Sequence, residues 1–137
     1  MTVVADTGAI FALIDASDAW HERVTAWWRA NTQSVVLPVS ILPEVAHLLQ
    51  TRISSLAELA FVRAVADGEF TVEPLEPEDV TRADALMRRY LDLPLGFADA
   101  TVIATAERLD AREIVTTDRR HFRVAGASGS RTIRLLP

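Results

Sequence analysis

The N-terminal run Val3-Val4-Ala5 is apolar without alternation. It stops at Asp6-Thr7-Gly8, and a second apolar series follows, Ala9-Ile10-Phe11-Ala12-Leu13-Ile14. A short unbroken apolar run reads as a buried strand, and Gly8 lets the chain turn sharply into a helix. The pattern predicts strand 2–6 and helix 8–15. Asp15-Ala16-Ser17-Asp18 reads as a turn, with Asp18 the N-cap of a helix at 18–30. Strand 35–37 follows and is closed by Pro38. Leu42, Val45, Ala46, Leu49 and Ile53 form one stripe of a helix at 40–52 opened by Ser40. A helix at 54–67 stops at Asp67-Gly68. Strand 70–73, a helix from Pro77 to Leu91 and a loop at 92–96 come next. Residues 97–109 form an unusually apolar helix, 114–116 a fourth strand, and 119–122 a short turn or helix. Residues 126–130 read as a flexible loop before a last strand at 132–135.

Strands alternating with helices predict an α/β fold of three layers, with a mainly parallel sheet of four to five strands and helices on both faces. At 137 residues the chain fits one domain, 1–137, with a single sizeable core. No apolar run approaches the ~20 residues of a membrane span. No secretory signal is legible at the N-terminus, and the expected location is cytoplasmic. The absence of Cys removes disulfides, thiolate catalysis and cysteine zinc sites.

All 14 basic residues are Arg. Without Lys there is no P-loop, no Schiff-base chemistry and no receiver-type phosphorylation site. The formal charge of −5 argues against a phosphate-binding surface. Setting four candidate site acids apart from the 19 leaves 15 against 14 arginines, a near-neutral remainder. A bound divalent ion would reverse the local sign that a phosphate meets.

Those four acids are Asp6, Glu44, Asp99 and Asp118. Each lies at a strand's carboxyl end or in a helix's opening turn, places that converge at one edge of a parallel sheet, where ligands bind. Singly, each has an ordinary structural reading. Asp6 suits a helix N-cap, Glu44 a helix dipole, and Asp118 a turn or cap. Asp99 begins a face shared with Val102, Ile103 and Ala106, with Thr101, Thr105 and Arg108 on the other side. A lone carboxylate there costs several kcal/mol unless paired, by a metal, by Arg89 or by the donors of the helix end. Together the four repel, and a hard divalent cation relieves that repulsion. Mg²⁺ or Mn²⁺ fits a set with no Cys and no HExxH-type pair.

Thr7 and Thr117 flank the acids and could bind metal-bound water or phosphate, or simply end strands. His21, His47 and His121 are scattered and read as surface or partly buried residues, although His47 lies three residues after Glu44. Trp20 and Trp27 share a face, for core packing or for a partner. Arg119 follows Asp118 and could touch a substrate backbone.

With these residues in place the sequence resembles the PIN-domain ribonucleases, in particular the VapC-type toxins of toxin–antitoxin pairs. The resemblance is carried by VVADTGAIFALID, the Pro-Glu-Val at 43–45, LPLGFADATVIATAERL and IVTTDRRHF, in that order over nearly the whole chain. It implies Mg²⁺-dependent endonuclease action on RNA, homodimers, and a cognate antitoxin that covers the site. It places Asp6, Glu44, Asp99 and Asp118 at the acidic positions, with metal held chiefly by Asp6, Asp99 and Asp118. Glu44 is then either a ligand through water or the group that activates the nucleophile. Thr7 and Thr117 match accompanying polar positions, and Gly8 stands where the family often has Ser or Asn. Two other readings remain. Asp-Thr-Gly also occurs in small dimeric aspartic proteases, whose nearly all-β fold conflicts with the long helical stretches here. A catalytically silent PIN-like module would bind RNA or a protein without cutting.

Overall fold

A computed structural model describes residues 1–125 and 132–137. The strands are β1 (Thr2–Ala5), β2 (Ser34–Pro38), β3 (Thr71–Glu73), β4 (Glu113–Val115) and β5 (Arg134–Leu136). The helices are α1 (Thr7–Ile14), α2 (His21–Ala30), α3 (Leu42–Arg52), α4 (Ser55–Ala66), α5 (Pro77–Arg89), α6 (Phe97–Arg108) and α7 (Arg119–Ala125). All pairings are parallel, in the order β3-β2-β1-β4-β5. The α/β class and the parallel sheet are as expected. The loop expected at 126–130 lies outside the described residues.

Val3, Val4 and Ala5 are wholly buried. Successive strand residues point to opposite faces, so both faces of β1 are covered. The chain leaves β1 toward β2 on one side and returns to β4 on the other. The gap between β1 and β4, beyond their carboxyl ends, is the switch point of an open parallel sheet.

Several local expectations shift, each for a physical reason. Strand β1 stops at Ala5, because the Asp6 side chain accepts from the Ala9 N–H at 2.8 Å and opens α1. Asp18 does not cap α2. It accepts from the Trp20 N–H at 2.8 Å and closes a turn before the helix. Ser40 lies in a 3₁₀ turn, Val39–Ile41, ahead of α3, and its hydroxyl meets the Thr101 hydroxyl at 2.7 Å. Ile53, assigned to the buried stripe, is 46% exposed. Trp27 and Trp28 pack partly buried against the core, with Trp28 edge-on to Phe70.

The largest departure concerns α6. Thr101 and Thr105, expected on the side opposite the Asp99 face, are fully buried, since α5 and the Val39–Ile41 turn both pack against α6 and the Thr101 hydroxyl meets Ser40. Arg108 ends the helix in a buried ion network. It donates to Asp79 at 3.0 Å, to Glu73 at 3.0 Å and to the Pro74 carbonyl at 3.2 Å. Asp79, 1% exposed, also accepts from the Glu76 N–H at 2.9 Å, starting α5. The network therefore fixes α5, α6 and the end of β3 to one another. Breaking a buried pair leaves an uncompensated charge. We expect Asp79→Ala to destabilise by about 3 kcal/mol, with Glu73 still holding Arg108. Asp84→Ala, which breaks an exposed pair with Arg88, should cost far less. Urea denaturation of both variants checks this; equal costs would contradict it.

Candidate metal centre

Asp6 sits where β1 becomes α1, and its backbone N–H donates to the Val115 carbonyl at 3.2 Å, so the β1–β4 ladder continues to the carboxylate itself. The residue is 2% exposed. One carboxylate oxygen takes the Ala9 N–H, and the other takes the Thr116 hydroxyl. Thr116 follows β4 directly, is fully buried, and also accepts from the Asp118 N–H at 2.9 Å. A single hydroxyl thus ties the acid after β1 to the acid after β4.

Burial pushes the Asp6 carboxyl up to about 7. The bonds from Thr116 and Ala9 pull it back, and the Asp99 and Asp118 charges push it further. Asp99, in the first turn of α6, is partly buried and rises to about 6. Desolvation is its main cause, followed by repulsion from Asp118 and Glu44, with His121 acting in the opposite sense. The fold therefore brings all four acids into one another's field. Arg89, a possible partner for Asp99, is exposed and lies over the Tyr90 ring instead.

Glu44 differs from the other three. It is exposed in the first turn of α3, 3.5 Å from the donating Thr7 hydroxyl. Asp118 caps α7, accepting from the His121 N–H at 3.2 Å. Thr117 lies against Gly8, where a Cβ would run into its hydroxyl; space that a Ser or Asn at position 8 would need is already taken. The Arg119 guanidinium donates to the Pro137 carbonyl and sits 5.6 Å from the Trp20 ring centre. His47 is exposed on α3.

Sequence reasoning missed two residues. Thr116 was counted as strand, although the Thr-Thr-Asp run offered two hydroxyls. His121 was read as scattered, yet its ring joins Asp118 at 2.7 Å. Its place three residues after Asp118, at a helix start, was the available signal.

The donors fit a hard divalent cation: carboxylate oxygens at a desolvated edge, two of them carrying charge that their surroundings disfavour. Among the described residues no group of three or more carboxylate or imidazole side chains stands close enough together to hold a metal ion as placed. That openness is expected of like charges with nothing between them.

The model of the PIN domain family matches residues 3–127. Ribonuclease VapC26 of Mycobacterium tuberculosis is 29% identical over 135 residues, spanning 98% of this chain and 100% of that protein. The crystal structure of Mycobacterium tuberculosis VapC20, described as a sarcin-ricin loop cleaving toxin, is similar with a TM-score of 0.83 at 22% identity, over 98% of this chain and 99% of that one. A toxin–antitoxin complex from Klebsiella pneumoniae gives 0.71 at 17% identity, over 98% and 96%. At these identities the solved structures establish the fold.

A raised carboxyl pKa has a stability consequence of definite sign. Folded Asp6 holds its proton up to about 7, whereas the unfolded side chain releases it near 3.8. The stabilisation is complete below 3.8 and is lost as pH rises through about 7. Its upper bound is about 4 kcal/mol. In chelator, the stability advantage of Asp6→Asn over the wild type should therefore grow from pH 4 to pH 7 and level off above. Thermal melts across that range check it, and an advantage that shrinks with rising pH would contradict it.

Proposed function

Because this chain belongs to the PIN domain family, we propose that it is a metal-dependent endoribonuclease, cleaving RNA phosphodiester bonds as the toxin of a toxin–antitoxin pair. The observation that carries this reading is the convergence of Asp6, Asp99 and Asp118 at the β1–β4 edge, where the charges of Asp99 and Asp118 push the Asp6 carboxyl up and that of Asp118 pushes up Asp99. Mg²⁺ is the proposed cofactor, with Mn²⁺ as substitute, because the donors are hard oxygens. Asp6, Asp99 and Asp118 would hold it. When bound, the ion would supply neutralising charge and Lewis acidity at the scissile phosphate.

The chain's own groups divide the remaining work. Glu44, exposed at the rim but within the field of Asp99, would orient and deprotonate the attacking water or hold the ion through a water, with the Thr7 hydroxyl beside its carboxylate. Thr117, pressed against Gly8 between the two acidic turns, and Arg119, directly after Asp118, are the proposed substrate contacts. Arg119 would meet a flanking phosphate while its guanidinium lies near Trp20. Without the ion the acidic edge repels RNA, so substrate binding and catalysis share one requirement.

The proposed partners are an RNA substrate, a cognate antitoxin and a second copy of the chain, within a single PIN domain in the cytoplasm. Among the described residues no helix is long and apolar enough to cross a membrane.

Purified protein should cut structured RNA with Mg²⁺ and not in chelator, and Asp6→Asn or Asp99→Asn should lower the rate by at least ~100-fold. Gel analysis of end-labelled RNA gives the result. RNA bound but never cut would favour the silent module. Cutting that ignores both chelator and Asp6→Asn would overturn the proposed site.

A further inference from the structure

The His121 ring bridges the turn that carries Asp118 and the turn that leads into the helix of Asp99. Its Nε2 donates to the Leu93 carbonyl at 2.9 Å, and its Nδ1 pairs with Asp118 Oδ2 at 2.7 Å. The carbonyl can only accept, so the hydrogen on Nε2 belongs to the ring and fixes the ring's orientation. Leu93 lies in the turn between α5 and α6, where its own N–H donates to the Tyr90 carbonyl at 3.0 Å. Two residues on, Leu95 is buried, and Gly96 then starts the helix that carries Asp99.

Asp118 is thereby held from three directions. Its Oδ1 takes the His121 N–H at 3.2 Å, its Oδ2 faces the ring, and its own N–H is bound to Thr116. Among the described residues the imidazole is the side-chain hold on the carboxylate itself, and the Leu93 carbonyl anchors its far nitrogen outside the β4–α7 turn. We propose that His121 is a positioning residue: it sets the angle of the Asp118 carboxylate and ties it to the turn before Asp99, so that the two acids present to one ion. The proposal rests on the metal-dependent reading above. Residues of this kind, which hold a ligand rather than touch the metal, typically cost 10–100-fold in affinity or activity when removed, an order-of-magnitude expectation.

The test is direct Mn²⁺ binding to the full chain by calorimetry, alongside the Mg²⁺ dependence of RNA cutting. His121→Ala should weaken Mn²⁺ binding by about tenfold or more and raise the half-saturating Mg²⁺ in parallel. His121→Asn keeps a polar group at the Nδ1 position and loses the reach to Leu93, so it should recover part of the affinity and fall short of the wild-type Kd. His121→Gln keeps the reach and loses the near group, so it should resemble Ala. A wild-type Kd in a folded His121→Ala protein would overturn the proposal. Should Ala not fold, Asn and Gln carry the comparison, and equal Mn²⁺ binding by the two would overturn it. If the wild type itself binds no Mn²⁺ and cuts no RNA, the functional reading fails first, and the result is distinct from a failure of His121 alone.

Discussion

The Asp6 carboxylate is taken out of water at the point where two neighbouring strands end, and much of the surrounding structure is arranged to make that tolerable. Ala9 and Thr116 each supply a hydrogen to it. These bonds do not neutralise it, and Asp99 and Asp118 add negative charge nearby. Burial without a counter-charge is costly in an interior of low polarity, so such a group stays protonated or acquires a cation. The proposed divalent ion satisfies this residue and its neighbours at once.

The opposite end of α6 shows how the same fold treats charge when chemistry is not at stake. Arg108, Asp79 and Glu73 are largely withdrawn from solvent, yet every charge has a partner within about 3 Å. That network holds α6 against α5, and so fixes the helix whose first turn carries Asp99. One end of the helix is electrostatically closed and rigid; the other is electrostatically open. A pair of carboxylates left short of positive charge is, in this setting, a property of the site rather than a general looseness of packing.

The sequence made the frame legible where the pattern was long or unmixed. The unbroken Val3-Val4-Ala5 run marked a strand covered on both faces, and Asp-Thr-Gly marked its carboxyl end. The four acids could be picked out because each stands beside such a boundary. Phase at short elements was not legible. Strand β4 has only three residues, so period-two alternation could not say which of Thr116 and Thr117 turns inward; Thr116 does. Arg108 and Asp79 are 29 residues apart on different helices, and no local signal announces their pairing. Helix phase separated Thr101 and Thr105 from the Asp99 face but could not say what would cover them. The packing of α5 and of the Val39–Ile41 turn decided that.

The most direct measurement is a crystal of the full chain soaked in Mn²⁺, with anomalous scattering used to locate the ion. An anomalous peak bounded by the carboxylates of Asp6, Asp99 and Asp118 is the expected result. Manganese bound only elsewhere, with those three carboxylates apart, would contradict the shared-ion site.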